Sequence, residues 1–318
     1  MTGGRGSPGK PAETAPGALS VVIPTRNRRR QLASTLAALA QEAAEALPGG
    51  PLQVVVVDDG GTDDTLPFLD GFSDPRLAIT VLRQDGAGPA AARNRGVAAA
   101  RGERILFLGD DTRPAPGCLR WHLASGHLAT GLPGQGDDGP MAVQGHIDWD
   151  PERPVTPLMD FLAPAGPQFY FRGLRDGTVI PFTAVLGSNL SAPRRWLVDE
   201  PFDEGFPHAA VEDTEMAWRW QARGWRTVYR PGALCWHDHC YDDLTPFLDR
   251  QRRAGASARY AIRKHPRLLW PLALRPTLFG AAVRMRRLLG RGRPTDGWDL
   301  ACRRAFLKGF LTGGAVTR

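Results

Sequence analysis

Four stretches of the chain gather side chains that could do chemistry. LFLGDDTRP, Leu106 to Pro114, ends an apolar run in two adjacent carboxylates, Asp110 and Asp111. Neighbouring acids repel unless something positive sits near them, and oxygen ligands of this kind suit Mg2+ or Mn2+ carrying a diphosphate. A solvated turn is the plainer reading of the same residues. VVVVDDGGTDDT sets Asp58 and Asp59 beside a tight glycine turn, where a carboxylate either hydrogen-bonds a base or ribose or simply supports a turn and helix cap. Glu212, Asp213 and Glu215 open a helical pattern. The helix dipole favours acids there whatever the function, and the functional reading is one carboxylate taking a proton from an attacking hydroxyl. Finally, CWHDHC offers Cys235, His237 and His239 on one face if the segment is a strand. Its spacing is not that of the common zinc fingers, so a structural zinc site ranks below a single imidazole completing a carboxylate-metal site, with an ordinary polar strand end as the third reading.

These groups need elements to position them, and the first 110 residues supply an alternation. The expected strands are ALSVVIP, LQVVVVDD, LAITVL and ERILFLGDD, and the expected helices are RRRQLASTLAALAQEAAEAL, a short capped TDDTLPFLDGF, and GPAAARNRGVAAARG. Continuous apolar strands separated by helices predict a parallel sheet covered on both faces, with ligands beyond the carboxyl ends of the strands. After Pro114 the pattern is less regular. It comprises a helix near CLRWHLASGHLA, a loop GLPGQGDDGP, a strand AVQGHIDW, and a proline- and aromatic-rich stretch through Pro157 to Gly173 that reads as a substrate-facing loop. TAVLGSNLSAP should approach the site, EDTEMAWRWQARGW should be helical, and RTVYRP should be a strand.

Composition bounds the rest. Hydrophobic residues are 42% and charged residues 23% of 318, as in an ordinary globular protein. The net charge of +7 is uneven: Arg250 to Arg318 holds 17 Lys or Arg against Asp296 and Asp299, a net of +15, so the remainder carries −8. A basic segment of this kind suits phosphates, anionic lipid or nucleic acid, or is a solvated helical face. The four cysteines make no disulfide framework, which fits a reducing compartment. Residues 1–17 have no apolar core of signal-peptide length and read as a disordered leader. No apolar run is long enough to span a bilayer, so a cytoplasmic location is expected.

Taken in order, SVVIPTRNR, VVVVDDGGTDDT, GPAAARNRGVAAARGERILFLGDDTRP, GSNLSAP, FDEGFPHAAVEDTEMAWRWQARGW and YRPGALCWH resemble the family 2 inverting glycosyltransferases of GT-A fold. The resemblance runs from Leu19 to about His239. It implies an α/β, Rossmann-like, mostly parallel sheet flanked by helices over residues 18–244, while the residues after it, 245–318, read by themselves as a basic helical C-terminal extension interrupted by prolines. It further implies a UDP-, GDP- or dTDP-sugar donor and Mn2+ or Mg2+. Pro24, Thr25 and Arg26 match the first-strand segment lining the nucleotide pocket, Asp59 the acid contacting the base, and Arg93 an arginine near the nucleotide. Asp110 and Asp111 match the acidic metal motif, Gly187, Ser188 and Asn189 a loop near donor sugar and acceptor, and Asp213, beside Glu212, the general base. His237 matches a histidine that helps hold the metal. The expected reaction moves one sugar to a hydroxyl acceptor, lipid-linked or a secondary metabolite, with inversion. The basic segment, with Trp270, Leu278, Phe279, Met285 and Leu288 among its arginines, is expected to lie on an anionic membrane at its inner face, and nucleic acid is not an expected partner.

Two departures and two rivals accompany the resemblance. The commoner metal motif carries an acid at both ends of three residues, whereas its first place here is Gly109. The Gln-x-x-Arg-Trp motif of processive members has no match at Gln251. A nucleotidyltransferase on the same sheet would have a glycine-rich phosphate loop after the first strand, where ThrArgAsnArg stands. A non-catalytic nucleotide-binding relative remains, against which Asp213 and His237 argue.

Overall fold

The computed structural model describes residues 19–125, 141–164 and 166–313. The leader and the loop GLPGQGDDGP lie outside the described residues. The first half alternates as expected: β1 (Leu19–Thr25), α1 (Arg29–Ala46), β2 (Leu52–Asp59), α2 (Thr65–Gly71), β3 (Leu77–Gln84), α3 (Pro89–Ala99) and β4 (Arg104–Leu108). These four strands are parallel, in the order β3-β2-β1-β4.

The continuous apolar runs are explained by burial on both faces. Val21 and Ile23 of β1 point with Val54, Val56, Leu106 and Leu108 towards Leu32, Leu36 and Leu39 of α1. Their alternating neighbours Val22, Val55, Val57, Ile105 and Phe107 belong to the opposite cluster, with Ala92 and Val97 of α3. A strand with period-2 side chains must be apolar throughout when both faces are covered.

Beyond β4 the chain departs from simple alternation. A short β5 (Thr112–Pro114) follows the acidic turn, then α4 (Cys118–Ser125), β6 (Ala142–Trp149), α5 (Pro157–Leu162), β7 (Asn189–Pro193), α6 (Arg194–Asp199), α7 (Glu212–Ala222) and β8 (Thr227–His237). The complete sheet runs β3-β2-β1-β4-β7-β6-β8-β5. β7 is antiparallel to both neighbours, and β5 is antiparallel to β8. The expected fourth strand therefore stops at Leu108 and its two aspartates belong to a turn, while the last strand extends through Cys235 and His237. The segment expected to face substrate is in part core: Phe169 and Phe171 are buried there, and α5 packs Leu158, Met159 and Leu162 inward.

Among the described residues, three α-helices follow β8: α8 (Thr245–Lys264), α9 (Arg275–Leu288) and α10 (Asp296–Thr312). α8 and α10 cross closely because Gly255 and Gly309 present no side chain. A Cβ on Gly255 would meet Phe306 O at 2.0 Å, and one on Gly309 would meet Arg252 O at 1.8 Å. α8 is fastened to the α/β body by Lys264 Nζ on Asp203 at 2.7 Å and by His265, just past its end, whose Nε2 lies 2.8 Å from Glu215 Oε1 of α7. Among the described residues no helix is long and apolar enough to cross a membrane.

Candidate active site

The carboxyl ends of parallel strands β1, β2 and β4 come together on one edge of the sheet, where ligands of such sheets sit. There the chain carries Thr25, the pair Asp58 and Asp59, and the turn Gly109-Asp110-Asp111.

The acidic turn is closed by Thr112 N donating to Gly109 O at 3.1 Å. A side chain at 109 would require its neighbours to move, since a Cβ there would lie 2.6 Å from Thr112 Oγ1 and 2.9 Å from Asp111 Oδ1. Asp110 is turned inward: Thr25 Oγ1 donates to its Oδ2 at 2.8 Å, and Thr35 Oγ1 to its main-chain oxygen at 2.9 Å. Burial, reinforced by the adjoining Asp111, pushes the Asp110 carboxyl well above its usual range, against the pull of Arg28 and Thr25. Asp111 behaves in the opposite way. Burial would raise it too, but His237 and Arg28 outweigh that and hold it far below the usual carboxylate range.

His237 reaches Asp111 because β5 and β8 are paired, with Thr112 opposite His237 and Asp238 N donating to Asp111 O at 2.8 Å. His237 Nε2 lies 3.6 Å from Asp111 Oδ2. The imidazole is walled by Trp149 and Phe169, each with its ring centre 5.4 Å away, and its Nδ1 is buried with no hydrogen-bond partner among the described residues. A carboxylate oxygen and an imidazole nitrogen converging on one point form a donor pair that a divalent ion accepts. No group of three such side chains forms among the described residues, so an ion here needs oxygens from its ligand as well. Cys235 is committed elsewhere, 3.7 Å from Cys118 in the core, so the three-ligand zinc arrangement is not formed by Cys235, His237 and His239.

The second acidic group lies at the start of α7. Gly187 N donates to Asp213 Oδ2 at 2.9 Å, and Thr214 N to Asp213 Oδ1 at 2.8 Å. The residue after Gly187 completes a link to the first group, because Gly109 N donates to Ser188 O at 3.2 Å. Glu212 is buried, and Arg93 Nη1 of α3 donates to its Oε1 at 2.9 Å. Burial and then the neighbouring Asp213 raise the Glu212 carboxyl, while Arg93 opposes them. Chain entry to α7 passes through Val211 at φ 73°, a left-handed conformation that a β-branched residue rarely takes.

The remaining expected residues are distributed as follows. Asp59 is buried, receiving Gln84 Nε2 at 2.7 Å and Gly88 N at 2.9 Å, so it braces the start of α3. Arg26 is exposed just beyond β1, next to half-buried Pro24. Asn189 is fully buried and its amide is used inside the fold, donating to His146 O and Ala233 O while its Oδ1 lies 2.9 Å from His122 Nε2. Arg28 and Asn27 were not among the expected site residues. Asn27, at φ 55°, accepts from Thr62 N at 2.6 Å and Asp63 N at 3.2 Å, which ties the β1 and β2 loops together. Arg28 forms an ion pair with Asp111 and lies 3.8 Å from Asp110 Oδ1. The ThrArgAsnArg run at the end of β1 was the available signal for both.

Comparison with known proteins agrees with this architecture. The family described as glycosyl transferase family 2 matches residues 20–124. A pre-mycofactocin glycosyltransferase of Mycobacterium tuberculosis is 30% identical over 280 residues, covering 86% of this chain and 54% of that protein. Validoxylamine A glucosyltransferase of Streptomyces hygroscopicus subsp. jinggangensis is 31% identical over 296 residues, covering 83% and 64% respectively. The chain thus spans 54% and 64% of the lengths of these two relatives. Among solved structures, a mannosyltransferase from Pyrobaculum calidifontis in complex with GDP-Man and Mn2+ superposes with a TM-score of 0.57 at 18% identity, over 96% of this chain and 79% of that one. The sheet with its flanking helices is the GT-A fold, and the chain belongs to glycosyl transferase family 2.

Proposed function

We propose that the chain is an inverting glycosyltransferase that moves one sugar from a UDP-, GDP- or dTDP-sugar to a hydroxyl acceptor, with Asp213 as general base. The observation that carries this reading is the bridge made by two adjacent residues. Gly187 holds Asp213 and Ser188 holds the Gly109 turn, so the carboxylate that would take a proton and the carboxylates that would face a diphosphate are joined through one short stretch of backbone. The acceptor oxygen attacks the anomeric carbon as its proton passes to Asp213, and the bond from that carbon to the diphosphate oxygen breaks. Attack opposite the departing group inverts the configuration. Asp111 and His237 are the residues that would hold Mn2+ or Mg2+, which when bound offsets charge on the leaving diphosphate.

Support for sugar transfer comes also from the relatives, which share that activity in their names while differing in the acceptor named. The Pyrobaculum neighbour carries GDP-Man and Mn2+, in keeping with a nucleotide-sugar donor and a divalent ion. We assign transfer to residues 18–244 and a supporting role to 245–318. In the latter, Trp270, Leu278, Phe279 and Leu288 are more than half exposed among exposed Arg275, Arg284 and Arg287, which suits peripheral contact with an anionic membrane at its inner, cytoplasmic face and a lipid-linked acceptor there. A secondary-metabolite hydroxyl is the other acceptor class in keeping with the site.

The test is a thermal-shift panel of UDP, GDP, dTDP and their sugars with and without Mn2+, followed by NMR of the anomeric configuration in the product of the stabilising donor. A shift with one base and an inverted product are expected. A panel without any stabilising nucleotide, or a retained configuration, would overturn the reading.

A further inference from the structure

Arg28 stands where a cation is wanted. Its guanidinium pairs with Asp111, lies 3.8 Å from Asp110 Oδ1, and leaves its own side chain 38% exposed at the mouth of the site. The backbone beneath it is fixed, because Asn27 is clamped to Thr62 and Asp63 and Arg28 O receives Leu32 N at 2.9 Å as α1 begins. A long, half-exposed side chain on an anchored backbone can change partners without moving the fold. Asp111 meanwhile is the carboxylate that converges with His237, and the guanidinium occupies the same oxygen, Oδ2, that His237 Nε2 approaches. A divalent ion and Arg28 therefore compete for one atom.

We propose that Arg28 is the internal counter-cation of the Asp110-Asp111 pair, displaced when a divalent ion binds and thereby freed to hold the diphosphate of the donor. This rests on the reading of the site given above. Before an ion binds, Arg28 offsets part of the charge of the two carboxylates, which lessens their repulsion. The guanidinium released on ion binding carries donors arranged in a fork that matches phosphate oxygens. Ion binding and diphosphate binding are coupled through one side chain, which answers the acid missing at Gly109: the metal is weakly held alone and better held with the donor.

The test compares wild-type chain with Arg28→Gln and Arg28→Lys, reading free Mn2+ by electron paramagnetic resonance with Mn2+ alone. Removing the competing charge should tighten Mn2+ binding by on the order of tenfold, within the usual span of coupling between competing ligands, and Arg28→Lys should return it towards wild type. A misfolded variant would not gain affinity. Unchanged or weaker Mn2+ binding in Arg28→Gln overturns the proposal. With Mn2+ saturating, the nucleoside diphosphate that stabilises wild type should bind Arg28→Gln about tenfold more weakly, and unchanged affinity overturns the diphosphate half. Should no nucleoside diphosphate bind wild type, the transferase reading fails, while the Mn2+ comparison still decides whether Arg28 is the counter-cation.

Discussion

The amide of Gly187 donates to Asp213 Oδ2 at 2.9 Å, across 26 residues of sequence, and so aims a carboxylate in the first turn of α7 at the loop that leads into β7. Thr214 N occupies the other oxygen at 2.8 Å. Both bonds involve main-chain donors, so the orientation of the carboxylate is set by the backbone, and an asparagine in its place could accept only one of the two.

Asp213→Asn gives up one of these two bonds at a part-buried position and should still keep the fold and the nucleotide affinity, while lowering the rate of transfer by roughly 100- to 10,000-fold, the usual contribution of a positioned proton acceptor. Single-turnover rates beside nucleotide affinity by calorimetry check this. A variant that loses nucleotide binding with little change in rate would give Asp213 a different role.

Arg93 and Glu212 form a buried pair that links α3 to α7. Arg93→Met leaves Glu212 as a buried carboxylate without its cation and should cost about 3–5 kcal/mol in urea unfolding. The double variant Arg93→Met with Glu212→Gln should recover a good part of that loss, because the unpaired charge is gone. Additive losses would show that the two side chains stabilise the fold independently.

Gly109→Asp would write the commoner acidic pattern into the turn. The crowding from Thr112 and Asp111 means that the new side chain must displace both, so stability should fall by about 1–3 kcal/mol, as for other overpacked sites. Mn2+ affinity should not improve. A variant with wild-type stability and tighter Mn2+ binding would show that the turn has slack.

Trp270 and Phe279 lie exposed on the last segment, at 57% and 58%. Changing both to Ser should reduce co-sedimentation with vesicles containing phosphatidylglycerol by at least about tenfold, given that burying each ring is worth roughly 1.5–3 kcal/mol. Hydrolysis of a soluble nucleotide-sugar should be unaffected. Equal sedimentation of variant and wild type would remove membrane contact from the functional account.

Much of the scaffold could be read from composition along the chain, and the reason is local. Runs such as VVVV in β2 are buried on both faces, so they need no partner to be recognised, and the loops after them carry Gly and Asp for equally local reasons. What escaped reading depends on partners far apart. β5 is three residues long and exists because β8 lies beside it. Arg28 stands in a run of three arginines at the start of a helix, where a solvated face is the ordinary expectation, and only the folded chain sets it against Asp111. The intramolecular partners of two expected residues are equally distant: Arg93 directs its Nη1 to Glu212, a carboxylate 119 residues away. Asn189 joins β6 to β8 from within through its amide.

The pairing of β5 with β8 sets the spacing of Asp111 and His237 by one rung of a hydrogen-bonded ladder, although 126 positions separate them. Their separation is thus independent of the length of chain between them. The connections between α4 and α7 can differ in length without altering that rung, provided β6 and β7 still seat β8 in the sheet.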